Sequence, residues 1–210
     1  MPLVDRPAIT ADDLERLGEA LGPDHAPMMW MAAVLGLRWG EAAGMTVGSI
    51  DVFRGTVTVA GQLGRDRELA LPKSAAGQRK MAAPRWLLGD QAGLLARRGL
   101  TGADPSALLF VNGHGDSLPY SPWRRSTLLL ACLAAGLPGL RFHALRSNAA
   151  TALEAAGVDM RTAQTRLGHA NPSTTLACTP RRPSEPTRRP PTRCRSSSVP
   201  GKVGPRKARN

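Results

Sequence analysis

A sharp change in composition at residue 179 decides how much of this 210-residue chain can form a hydrophobic core. The last 32 residues contain seven prolines and four members of the hydrophobic class, Cys194, Val199, Val203 and Ala208. Such a segment cannot bury enough apolar surface to offset its conformational entropy, so we predict that residues 179–210 are disordered. The fold must then be built from residues 1–178, which are enough for one domain.

The net charge of +12 is concentrated in the same tail, which holds ten Lys/Arg and one Glu. The other 178 residues carry 18 basic and 15 acidic side chains, so any DNA-binding surface on the folded part must come from local arrangement. Two alternatives for the tail stay open. It is a basic DNA-binding arm, or it is the product of a shifted reading frame near codon 179, since GC-rich genes often yield Arg/Pro/Ser/Thr-rich sequence out of frame.

The sequence also indicates where the protein works. It lacks an apolar run near the roughly 18–20 residues that span a bilayer, and its start lacks the basic-then-apolar order of a secretory signal. Cys132, Cys178 and Cys194 show neither zinc-ligand nor disulfide spacing, and the sequence contains no Gly-rich phosphate loop. We expect a cytoplasmic, nucleoid-associated protein with no membrane contact, metal or cofactor.

Hydrophobic periodicity and capping residues predict a mostly α domain with a small β insert. Thr10, followed by Asp13, predicts the start of the first helix, and Asp159 predicts the start of a late one. Three short stretches between turn residues predict a three-stranded antiparallel sheet: residues 55–59, 67–71 and 79–82. The other predicted helical segments are residues 26–36, 38–45, 85–98, 121–136, 143–156, 159–167 and 172–178.

Four short motifs place charged groups in an order that suits a phosphodiester substrate. Residues 36–41 read Gly-Leu-Arg-Trp-Gly-Glu, in which the guanidinium of Arg38 can bind two nonbridging phosphate oxygens and Glu41 lies on the same helix face. Lys73 follows a proline between two predicted strands, and its ammonium suits protonation of a departing oxygen. His143 and Arg146 share one helix face at i and i+3. The fourth motif is Leu-Gly-His at residues 167–169.

In this order the motifs resemble the catalytic domain of the tyrosine recombinases, the phage-integrase family, over about residues 8–178. The resemblance implies the DNA breaking-rejoining type of fold. It also implies strand exchange in double-stranded DNA through a 3′-phosphotyrosyl intermediate, which needs no cofactor, and assembly as a tetramer. The implied site roles are phosphate binding by Arg38, Arg146 and His169, general acid for Lys73, and support for Glu41. His143 is implied as general base or hydrogen-bond partner of the nucleophile.

The chain departs from the family pattern at the nucleophile. The family's tyrosine falls nine or ten residues after His169, where this chain has Cys178 or Thr179. Its single tyrosine, Tyr120, precedes an earlier helix and is predicted to pack or to contact DNA backbone. A phenol with a pKa near ~10 is a far better leaving group than an alkyl alcohol, so neither residue is a conservative replacement. Loss of one base from a Tyr-Ala pair encoded TAC-GCC would give the Thr-Pro found at 179–180.

The sequence is therefore consistent with three functions. The first is site-specific DNA recombination or integration by descent, in a truncated and impaired copy without the usual upstream core-binding domain. The second is a catalytically silent DNA-binding protein that modulates an intact recombinase, and the third is a non-functional gene remnant. A type IB topoisomerase uses a similar set of groups, but the His-x-Leu-Arg and Leu-Gly-His motifs favour integrases.

Overall fold

The computed structural model describes residues 9–64, 66–70 and 78–168, and its longest element is the helix α1, Ala11–Leu35. Thr10 caps this helix, and Asp13 completes the predicted capping box. Gly22 has non-helical dihedrals (φ 70°, ψ 176°) just before Pro23, so α1 is kinked there. The predicted helix start and the predicted buried helix at 26–36 are thus the two arms of one bent element.

The remaining elements follow in the predicted order of helix, sheet and helices. Their bounds are α2 (Trp39–Ala43), β1 (Ile50–Asp51), β2 (Thr56–Val59), β3 (Gln62–Leu63), β4 (Leu69–Ala70), β5 (Arg79–Ala82), α3 (Arg85–Arg97), α4 (Tyr120–Trp123), α5 (Leu129–Ala134), α6 (Phe142–Ala155) and α7 (Met160–Leu167). A 3₁₀ turn, Val47–Ser49, precedes β1, and a π-helical turn, Arg124–Leu128, joins α4 to α5. The predicted helix at 172–178 lies outside the described residues.

The predicted three-stranded antiparallel sheet is present, but one of its strands was assigned wrongly. Its order is β1–β2–β5, with Val57 opposite both Ile50 and Met81. The stretch 67–71 contributes β4, which pairs with β3 in a separate two-stranded sheet. Both residues of β4 are exposed, so this strand has no buried face to place in the larger sheet. The true edge strand, β1, has only two residues and is too short to show an alternating pattern.

The core forms around α1, whose buried leucines and methionines pack against α3, α5 and α6. An aromatic cluster packs α2 against this core, next to the first charged motif. The ring of Trp39 lies 4.6 Å from Trp123 and 5.2 Å from Phe142, centroid to centroid. Tyr120 packs on the same indole at 5.0 Å, which agrees with its predicted packing role. These contacts hold Arg38, the residue before Trp39, next to the start of α6.

Gly36 ends α1 in the left-handed region (φ 70°), where a Cβ would lie 2.3 Å from Leu167 Cδ2. Gly55 has almost the same φ of 68°, but a Cβ there would meet no atom within 4 Å. Gly36→Ala and Gly55→Ala should each lose about 1–2 kcal/mol of unfolding free energy from the left-handed conformation. Gly36→Ala should lose about 1–3 kcal/mol more, because Leu167 must move. Chemical denaturation of the two variants checks this difference, and equal losses would contradict the close approach of α1 and α7.

Candidate active site

The buried carboxylate of Glu41 is the centre of the charged cluster. Glu41 is 2% exposed, and its Oε1 accepts hydrogen bonds from Arg38 Nη1 at 2.9 Å and Arg79 Nη1 at 3.1 Å. Its Oε2 accepts from the Arg38 backbone N–H at 2.8 Å and from Arg79 Nη2 at 2.9 Å. The sequence-based expectation that Glu41 orients Arg38 therefore has a direct geometric counterpart. The α2 helix begins at this contact, with Arg38 as its N-cap residue.

The ionisation of Glu41 follows from these partners. Burial alone pushes the pKa of the Glu41 carboxyl upward, because a buried charge loses hydration. The hydrogen bonds and charge of Arg79, followed by the backbone N–H and charge of Arg38, outweigh burial and leave the pKa below its usual value. Glu41 is therefore a carboxylate at neutral pH and supplies the negative charge that holds the arginines.

The end of α7 is bound by the guanidinium groups of the same cluster. Three consecutive backbone carbonyls, at positions 166, 167 and 168, each accept a hydrogen bond from a different arginine. The pairs are Arg79 Nε to Arg166 O (2.8 Å), Arg146 Nη2 to Leu167 O, and Arg38 Nη2 to Gly168 O (3.1 Å). The last carbonyls of a helix lack helical partners and carry its negative dipole end, so cations are favoured there.

Arg146 and His143 are placed by α6, whose apolar face carries Phe142 and Leu145 into the core. Arg146 is 3% exposed, donates to Gly36 O and lies 3.9 Å from the Glu41 carboxylate. His143 is on the exposed side of the helix. Partial burial, then the positive charges of Arg146 and Arg38, lower the pKa of the imidazole below its usual value. His143 is thus neutral at physiological pH, the form in which it can accept a proton.

The structure brings together four of the residues predicted from the sequence: Arg38, Glu41, His143 and Arg146. The other four predicted positions, Lys73, His169, Cys178 and Thr179, lie outside the described residues, and their roles stay predictions. Among the described residues, no group of three His, Cys, Asp or Glu side chains could hold a metal ion. Within the same ranges, no helix is long and apolar enough to cross a membrane.

Arg79 belongs to the site but was not predicted from the sequence. Arg79 opens β5, and its side chain is only 4% exposed. The sequence placed it in a short strand between turn residues, and in the structure it is buried on the same face as Met81. An arginine on the buried face of a strand must have a charged partner, and that signal could have identified it. Its carboxylate partner, Glu41, lies 38 residues earlier in the chain, so the pairing depends on the tertiary fold.

A basic groove of about 560 Å³ lies beside the site, lined by Tyr120, Ser121, Arg124, Arg125 and Arg141. Two of its lining residues are close to residues of the site. Tyr120 packs on Trp39, the neighbour of Arg38, and Arg141 precedes His143 by two residues. Three arginines along an open groove form a surface suited to a polyanion.

The family model described as the phage integrase family matches residues 7–179. Tyrosine recombinase XerD of Pseudomonas aeruginosa is 30% identical over 157 residues, which are 75% of this chain and 49% of the relative. A putative prophage phiRv2 integrase of Mycobacterium tuberculosis is 29% identical over 174 residues, which are 81% of this chain and 46% of the relative. The chain thus spans about half the length of the curated relatives it matches.

Solved structures show the same architecture. The crystal structure of XerA recombinase matches with a TM-score of 0.68 at 24% identity, over 85% of this chain and 60% of the other. The Tn1549 transposon integrase, solved in complex with circular intermediate DNA, matches with a TM-score of 0.68 at 22% identity, over 85% and 63%. These likenesses confirm the predicted fold, mostly α with a small antiparallel insert. Together with the family match over residues 7–179, they show that the chain belongs to the phage integrase family.

Proposed function

We propose that this chain binds double-stranded DNA and activates a phosphodiester for site-specific recombination. The observation that carries the proposal is the convergence of Arg38 and Arg146 on the buried Glu41 carboxylate, with the neutral His143 three residues before Arg146 on the exposed side of α6. The family membership and the relatives named as recombinases and integrases support the same reaction class. The basic groove beside the site supports DNA as the polyanion, since a duplex presents phosphates on both sides of a reacting one.

In the proposed reaction a nucleophile oxygen attacks the scissile phosphorus, the bond to the 5′-oxygen breaks, and a 3′-phosphoester to the protein forms. Negative charge grows on the nonbridging oxygens as the phosphorus becomes pentacoordinate, so preorganised arginines stabilise that state more than the ground state. Arg38, with a side chain 43% exposed, is the guanidinium within reach of a surface phosphate. His143 would take the proton of the nucleophile, Lys73 would protonate the leaving 5′-oxygen, and His169 would hydrogen-bond the phosphate.

The sequence around the nucleophile favours a second function for this particular chain. Residues 174–180 read Thr-Thr-Leu-Ala-Cys-Thr-Pro, without a tyrosine. A phosphoester of threonine would be hard to reverse, and a phosphorothiolate ester of cysteine would form poorly. Either residue therefore blocks the cycle of cleavage and rejoining. We therefore propose that the chain as written binds DNA without completing strand exchange. In that role it would assemble on DNA with further copies of itself or with an intact recombinase.

Replacing Arg38 with alanine should weaken duplex binding at least tenfold, because a charge-assisted hydrogen bond to phosphate contributes about 1.5–3 kcal/mol. Fluorescence anisotropy with a labelled duplex, repeated over a range of salt concentrations, measures the loss. Arg54→Ala is the matched control, since Arg54 pairs with Asp51 at i−3 on the surface, as Arg38 pairs with Glu41 at i+3. Equal affinities for Arg38→Ala and the unmodified chain would remove the case for a phosphate site.

A further inference from the structure

We propose that Arg79 is a positioning residue of this site, which fixes the orientation of Arg38 through Glu41 and through the end of α7. The consequence for DNA rests on the proposed phosphate-binding function of Arg38. The placement itself rests on the contacts of the described residues.

The Arg79 guanidinium binds its neighbours in a fixed geometry. Its two η nitrogens bind the two carboxylate oxygens of Glu41, at 3.1 and 2.9 Å, in the parallel fork arrangement that fixes direction as well as distance. Its Nε donates to Arg166 O at 2.8 Å. One planar group therefore joins the start of β5, the first turn of α2 and the last turn of α7. Arg38 and Arg146 also contact both Glu41 and the end of α7, and Arg79 adds the link to β5.

The ion pair of Arg79 and Glu41 is buried. The side chains of Arg79 and Glu41 are 4% and 2% exposed, whereas that of Arg38 is 43% exposed. A phosphate at the protein surface can reach Arg38 but is shielded from Arg79. Any effect of Arg79 on the reaction must therefore act through its neighbours, which makes it a positioning residue and not a catalytic one.

The orientation of Arg38 depends on the two groups that Arg79 binds, the Glu41 carboxylate and the end of α7. Arg38 Nη1 donates to the Glu41 carboxylate at 2.9 Å, and Arg38 Nη2 donates to Gly168 O at 3.1 Å. Glu41 is bound by Arg79 directly, and Gly168 is two residues after Arg166, whose carbonyl Arg79 binds. If Arg79 releases these two groups, each acceptor that orients the Arg38 guanidinium is held less firmly, because Arg146 contacts Glu41 only at 3.9 Å and binds the neighbouring Leu167 O.

The substitution Arg79→Lys keeps the positive charge of the side chain and removes its planar hydrogen-bonding geometry. The lysine ammonium keeps the positive charge beside Glu41 but cannot bind both carboxylate oxygens and Arg166 O in one plane. Arg79→Lys should therefore fold, with Glu41 still paired, while Arg38 loses its fixed orientation. Arg98→Lys is the matched control, because Arg98 also donates to backbone carbonyls, those of Leu108 and Leu109, but away from the site.

The test has two readouts on the full chain. The first is the side-chain NMR signal of the Arg38 guanidinium without DNA. We expect slow rotation in the unmodified chain and in Arg98→Lys, and fast rotation in Arg79→Lys. The second is duplex affinity, which should fall about fivefold or more in Arg79→Lys and stay unchanged in Arg98→Lys. The double variant Arg38→Ala/Arg79→Lys should bind no more weakly than Arg38→Ala, because the effect passes through Arg38.

An unchanged Arg38 signal in Arg79→Lys, or additive losses in the double variant, would overturn the positioning role. If lysine prevents folding, Arg79→Gln also releases Glu41 and Arg166 O but removes the charge as well, so only its Arg38 signal is compared. If the unmodified chain does not bind DNA, the proposed function fails while the NMR readout still decides the role of Arg79. If DNA binding depends on Arg38 but not on Arg79, the positioning role fails and the proposed function stands.

Discussion

Replacing Glu41 with glutamine should lower the free energy of unfolding by about 3 kcal/mol or more at pH 7, since breaking a buried ion pair from one side typically costs about 3–5 kcal/mol. The carboxylate accepts four hydrogen bonds from Arg38 and Arg79, and Arg146 lies 3.9 Å away. A neutral amide offers one acceptor oxygen and turns its NH₂ toward guanidinium donors. The positive charges of Arg79 and Arg146 then stay buried without a carboxylate between them. Urea denaturation at pH 7 measures the loss.

The loss of unfolding free energy in Glu41→Gln should depend on pH. The pKa of Glu41 is lower in the folded than in the unfolded chain, so the unfolded state binds more protons and stability rises with pH in that interval. The contribution of Glu41 is complete above its unfolded pKa of about 4.3 and is lost as the pH falls through the folded pKa. The gap between the unmodified chain and Glu41→Gln should therefore close in acid. A difference in unfolding free energy that stays constant from pH 7 to acid would contradict the lowered pKa of Glu41 in the folded chain.

Asp51→Asn is the control for the stability measurement. Asp51 pairs with Arg54 at 3.2 Å, but on the surface, where the Arg54 side chain is 78% exposed. Surface ion pairs contribute little to stability because water solvates both partners in either state. We expect this variant to unfold at nearly the same denaturant concentration as the unmodified chain. A large loss for both variants would mean that burial is not what makes Glu41 important.

The sequence predicted well the features that are determined within a few residues. The box of Thr10 and Asp13, and the cap of Asp159 on the Thr162 N–H, depend on side-chain to backbone hydrogen bonds three residues apart. The segment 67–71 was placed in the wrong sheet, because which strands pair depends on contacts far along the chain. Gly22 was not predicted to bend α1, because the same residue type also ends helices.

The site shows the same division between local and distant determinants. Arg38 with Glu41, and His143 with Arg146, are each three residues apart, so each pair was predicted from a short motif. The link between the two pairs runs through the buried carboxylate and the end of α7, which only the folded chain brings together. Arg79 was missed for this reason, although its hydrogen bonds to the carboxylate, followed by its charge, do most to lower the pKa of Glu41 against the effect of burial. Short motifs identify the groups that meet a substrate more readily than the groups that hold them.

Placing tyrosine at the nucleophile position should change the chain from one that forms no covalent DNA adduct to one that does. Cys178→Tyr and Thr179→Tyr test the two alignments of the segment after His169. A phenol with a pKa near ~10 can be activated by the neutral His143, and the resulting phosphotyrosyl ester remains reversible. We expect at least one variant to attach to a nicked suicide duplex, seen as a slower band on a denaturing gel.

The matched controls are Cys178→Phe and Thr179→Phe, which add the same ring without its hydroxyl. They should bind the duplex as the tyrosine variants do and form no adduct. Adding Arg38→Ala to the active tyrosine variant should abolish attachment, because the pentacoordinate phosphorus loses a guanidinium that is already oriented by Glu41 and Gly168. If neither tyrosine variant attaches although both bind the duplex, the arginine cluster serves binding alone in this chain. The non-cleaving DNA-binding function would then replace recombination as the function of the site.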